Sequence, residues 1–104
     1  MKPQALSVAV KNVIAEIQAI SGYDCPEIKG DTKPGKDIQN FTSEIWPTAS
    51  AMISAYIGKQ IPAEENIFYN EKTHEELTLD ECVQRIMAVV VENDNDSKTN
   101  GLTT

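Results

Sequence analysis

Three stretches of this chain repeat apolar residues every three or four positions, a period that predicts three amphipathic helices packed on one another. The first runs from about residue 4 to residue 20, with Leu6, Val10, Val13, Ile14 and Ile17 along one stripe. Pro3 stands where a helix N-terminus tolerates a missing N–H, and Ser21-Gly22 stops the run. The second begins after Ser43 and aligns Ile45, Ala49, Met52, Ile53, Tyr56 and Ile57. Pro47 falls in its first turn, where it removes no helical bond, and Gly58 ends it. The third opens at Thr78 and carries Val83, Ile86, Met87 and Val90. There Thr78-Leu79-Asp80-Glu81 fits a capping box, threonine at the cap and glutamate three residues on.

No strand competes with these helices. Val89-Val90-Val91 is β-branched but continues the period of the third helix, and Ile67-Phe68-Tyr69 is too short to found a sheet alone. Residues 23–42 hold Pro26, Gly30, Pro34 and Gly35 and read as a long ordered loop. Loops of that length in small domains are functional or pinned to a core, and Ile28, Ile38 and Phe41 are the expected pins. One helical domain over residues 1–91 is expected, followed by a polar, disordered tail over 92–104.

With 104 residues the chain suits one small domain, and an apolar content of 40% with few aromatics implies an aliphatic core. The net charge of −7 argues against nucleic-acid binding and against anionic membrane surfaces. Basic partner surfaces are its natural complement. The acids are uneven: residues 62–82 hold seven, including Glu64, Glu65 and Glu71, against the single base Lys72. A solvated face and a docking face for basic partners both fit that run.

The first apolar stretch contains Lys11 and Glu16, unlike a signal peptide, and no segment approaches the roughly 20 apolar residues that span a bilayer. Cys25 and Cys82 are too few and too far apart for a disulfide framework. A cytoplasmic protein with free thiols is the expectation, with Cys82 a small buried residue of the third helix.

Ser43 is the residue on which function turns. At a helix N-terminus, unpaired N–H groups and the positive end of the dipole favour negative charge, so a phosphate ester on its hydroxyl would be well placed. Serine is equally a favoured N-cap. Trp46 lies at the edge of the same stripe, where a partner contact and partial burial against the long loop are the two readings. Catalysis is not expected. A Ser43–His74–Asp37 hydrolase would need those groups in contact and an oxyanion hole, which nothing in the sequence specifies. Cys25, Cys82 and His74 lack zinc-like spacing, and no Gly-rich phosphate loop follows a strand.

The order of these features resembles the acyl carrier protein family over residue 5 to about residue 91. It shares a first helix, a long loop, Asp37-Ile38 shortly before Ser43, a second helix, then Ile61-Pro62 and acids. The resemblance implies an all-α bundle of three main helices plus a short helix, the latter starting near Asn66-Ile67-Phe68, with a long loop between the first and second helices. It implies that Ser43 carries 4′-phosphopantetheine, whose thiol holds acyl or aminoacyl groups as a thioester for fatty-acid, polyketide or related biosynthesis. Its partners would be a phosphopantetheinyl transferase and acyl-activating, condensing or acyltransferase enzymes with basic docking surfaces, meeting a monomer. Glu44, Trp46, Glu64 and Glu65 would touch those partners. Met52, Ile53, Ile67 and Phe68 would wall an acyl cavity, plain core packing being the alternative. This chain reads Thr42-Ser43-Glu44 where the family has Asp-Ser-Leu, and Thr48, Ser50 and Ser54 replace the acids usual on the second helix. The alternative is an unmodified adaptor that keeps the carrier fold and binds a partner through its acidic face or Trp46.

Overall fold

A computed structural model describes residues 2–90. The three apolar stripes form α1 (Pro3–Ser21), α3 (Trp46–Ile57) and α4 (Leu79–Val89), with α1 packed against both of the others. A single-turn helix, α2 (Pro34–Asp37), interrupts the long loop, and a hairpin of β1 (Tyr69–Asn70) and β2 (Glu75–Glu76) joins α3 to α4.

On α1, Leu6, Val10, Val13, Ile14 and Ile17 are all buried, as the period predicts. The helix stops where Gly22 turns left-handed at φ +82°, a conformation that costs a residue with a Cβ. On α3 only Ala49 and Ile53 are fully buried, while Met52 and Ile57 pack partly against the core. Tyr56, expected on the buried stripe, is instead 57% exposed, and its hydroxyl accepts a 2.9 Å hydrogen bond from the Asn12 amide of α1. α4 buries Leu79, Cys82, Val83 and Ile86 and leaves Met87, also expected on the stripe, exposed. Its capping box forms as expected: Thr78 Oγ1 accepts from the Glu81 N–H at 3.1 Å, and Glu81 Oε1 accepts from the Thr78 N–H at 2.8 Å.

The long loop is pinned at three levels. Ile28, Ile38 and Phe41 enter the core, as expected. Gln18 of α1, 1% exposed, donates from Nε2 to the carbonyls of Asp24 (3.2 Å) and Gln39 (2.8 Å), drawing both ends of the loop to one side chain. Farther along, the carbonyls of Thr32 and Gly30 accept from the first N–H groups of α4, Leu79 at 2.7 Å and Asp80 at 3.0 Å. Those donors have no acceptor within their own helix, so the loop completes the helix end. A Cβ at position 30 would run into the Asp80 carboxylate.

Three further expectations are corrected: the start of the second helix, the short helix after it, and the absence of strands. The second helix starts at Trp46, not directly after Ser43, because residues 42–45 close a turn in which the Ile45 N–H reaches the Thr42 carbonyl at 2.8 Å. Asn66-Ile67-Phe68 does not open a short helix. Asn66 Oδ1 accepts the Phe68 N–H at 3.1 Å, and the chain turns into the hairpin, where Tyr69 pairs with Glu76 and Asn70 with Glu75. Asn70 Oδ1 accepts from Lys72 and Thr73, so the Asn side chain builds the turn. The described chain is therefore mostly helical with one small hairpin, and its short helix lies in the loop before α3. Residue 91 and the polar segment 92–104 lie outside the described residues. No described helix is long and apolar enough to cross a membrane.

Candidate functional site

Ser43 is displayed by an aromatic clamp. Two residues before it, Phe41 is 1% exposed and meets Phe68 edge-on, with ring centroids 5.2 Å apart. Three residues after it, Trp46 begins α3, tilts over Phe68 at 5.9 Å and stacks on Tyr69 at 6.1 Å. The Trp46 indole N–H donates to the Phe41 carbonyl at 3.2 Å, closing the clamp from one flank to the other. Each such aromatic pair adds about 0.5–1.5 kcal/mol beyond its burial. The intervening turn is thus fixed at both ends, while Thr42, Ser43 and Glu44 are exposed.

Ser43 does not cap α3. The cap position is Ile45, no side chain closes it, and the Ser43 hydroxyl has no hydrogen-bond partner among the described residues. It stands instead at the edge of a groove of about 320 Å³ whose walls include Trp46, Pro47 and Ser50 of α3 and Ile61, Ala63 and Ile67 of the following connection. Glu64, Glu65 and Glu71 form its acidic rim.

Of the expected partner contacts, Glu44 and Glu64 are exposed, and Glu65 is half-buried and paired with Arg85 at 2.8 Å. Trp46 is half-buried against the loop, with its polar atom already engaged. Of the four expected cavity residues, Ile67 lies behind the groove beside Ser43 and is itself fully buried. Ile53 and Phe68 are wholly buried in the core, and Met52 packs partly against it. Sequence reasoning missed Tyr69, Gln18 and Arg85. The clamp's stacking on Tyr69 joins positions far apart in the chain, and no local pattern announces it.

Among the described residues, Asp37 and His74 are not drawn to Ser43. Asp37 accepts from the Lys33 N–H, His74 sits exposed in the hairpin turn, and no hydrogen bond links either to Ser43. Among the described residues no group of three or more His, Cys, Asp and Glu is placed to hold a metal. Both cysteines are free. Burial pushes the Cys82 thiol far above its ordinary value, and the adjacent Glu81 carboxylate raises it further. Partial burial also raises Cys25. Neither thiol has the lowered pKa that marks a nucleophile.

Comparison with protein-family models, with curated proteins and with solved structures gave no match to this chain.

Proposed function

We propose that this protein is a carrier whose Ser43 hydroxyl takes a 4′-phosphopantetheine arm. The observation that carries the reading is a hydroxyl that is exposed, without a hydrogen-bond partner, and held on a turn clamped by Phe41 and Trp46. A modifying enzyme can engage such a hydroxyl without unfolding its surroundings. The residues suit the group in two further ways. Ser43 precedes α3 by three residues, so a phosphodiester there adds negative charge near the positive end of a helix. The adjoining groove offers Pro47, Ala51 and Ala63 as exposed apolar surface beside the attachment point, over the buried Ile61 and Ile67. Attached, the arm would supply a thiol that holds an acyl group as a thioester.

The protein's own part is display rather than catalysis. The clamp fixes where the serine stands, and the acidic rim favours enzymes with basic docking surfaces. Thr42 stands where carriers place an aspartate, and this favours a second reading, an unmodified adaptor of the same architecture that docks through its acidic rim.

Intact mass separates the two. Incubation of the full chain with coenzyme A and a phosphopantetheinyl transferase of broad scope should add the mass of one arm, and Ser43→Ala should abolish the addition. No addition to the native chain, with an established carrier modified in parallel, would favour the adaptor. An arm on the Ser43→Ala variant would overturn the site.

A further inference from the structure

A second and larger groove, about 710 Å³, runs between the hairpin and α4. Its lining includes Tyr69, Leu77 and Ala88 as apolar surface, with Glu64, Glu65, Glu71, Asp80 and Glu81 around them. Among the described residues lining the groove, only Lys72 and Arg85 oppose those five carboxylates, and Arg85 is already held by Glu65 at 2.8 Å. We propose that this groove seats a segment of a partner protein that carries a lysine or arginine beside an aliphatic side chain. Charge selects the occupant: acids ring a surface that can bury an alkyl group, which is the pattern that long basic side chains and their apolar neighbours complement. The volume lies within the range of pockets that bury several side-chain-sized groups.

Glu64, Glu65, Asn66 and Glu71 line both this groove and the one beside Ser43. A segment seated between hairpin and α4 therefore lies across a shared ridge from the displayed serine. Seating does not require that Ser43 be modified, so this inference stands apart from the carrier reading.

The Arg85–Glu65 pair makes the test directional. Arg85 is an internal competitor for the same carboxylates, and removing it should tighten binding of a cationic segment. The probe is a synthetic leucine–lysine repeat peptide, titrated into the ¹⁵N-labelled, unmodified full chain with amide shifts as the readout. Shifts should centre on Tyr69, Leu77 and Ala88 and weaken with salt. Arg85→Ala should lower Kd about two- to fivefold, and Glu71→Gln should raise it by a similar factor. Ala88→Arg, an exposed helix position, should raise it about tenfold or more by adding bulk and positive charge. Glu16→Gln, exposed on α1 and away from both grooves, should leave it unchanged.

A lysine–serine peptide of equal charge that binds as well would overturn the proposal, since the apolar surface would then contribute nothing. So would shifts spread evenly over all acidic surfaces, or an Arg85→Ala variant that binds no better. Concentration-dependent shifts of the groove without peptide would assign it to a second copy of the chain and overturn the partner proposal. Loss of the arm at Ser43 with intact peptide binding would refute only the carrier reading.

Discussion

Replacing Gln18 by methionine tests whether one buried amide holds the long loop to α1. Methionine nearly preserves the volume of glutamine, so the substitution removes two hydrogen bonds without opening a large cavity. The Nε2 group serves the Asp24 and Gln39 carbonyls at 3.2 and 2.8 Å from a side chain only 1% exposed. A net loss of about 0.5–1.5 kcal/mol per bond would give about 1–3 kcal/mol. Asp24 and Gln39 are themselves exposed residues whose carbonyls can regain water, so the lower part of that range, about 1–2 kcal/mol, applies. Trp46, the single tryptophan, reports unfolding by fluorescence in urea. With a slope of about 1 kcal/mol/M, suited to a small domain, the midpoint should fall by about 1–2 M with the slope unchanged. A midpoint within about 0.3 M of the native one would refute the anchoring of the loop by Gln18 and show that apolar burial offsets both bonds.

Three further outcomes follow from particular contacts. Thr78→Ala should cost about 1 kcal/mol by removing the cap on the Glu81 N–H, lowering Tm by about 4–8 °C in a scanning calorimeter. Gly35→Ala should disturb the clamp, because a Cβ there would meet the Trp46 ring at 2.7 Å and the Glu76 carboxylate, so a shift of Trp46 emission in the folded state is expected. In alkylation by iodoacetamide followed by mass, exposed Cys25 should react in the native protein and Cys82 only on unfolding. Because its thiol is raised by burial, raising the pH toward 9 should speed the first reaction and not the second.

The helices were legible because burial imposes a period. The α1 stripe, the Thr78 box and the stops at Gly22 and Gly58 are each set by residues close in sequence. The loop's apolar pins were legible for the same reason, being isolated apolar residues in a polar run. What escaped depends on distant partners. The hairpin has two-residue strands ending in paired glutamates, too short for alternation to show, and its turn rests on the Asn70 side chain. Pro34-Gly35 read as loop punctuation, yet Pro34 opens α2 and Asp37 accepts from the Lys33 N–H at its start. At the candidate site, the sequence singles out Ser43 and its neighbour Ile67 as candidates. The support of Ser43 was not legible, since it joins Phe41, Trp46, Phe68 and Tyr69 across the fold. Tyr56 and Met87 were misplaced because a wide stripe does not say which of its flanking residues faces water.

Peptide mapping after treatment with coenzyme A and the transferase tests the central claim most directly, since Thr42, Ser43 and Ser50 all lie near the turn. One pantetheine-phosphate adduct is expected, on the peptide containing Ser43 and fragmenting at that residue. An adduct on Thr42 or Ser50, or none where a reference carrier is fully modified, would contradict that claim.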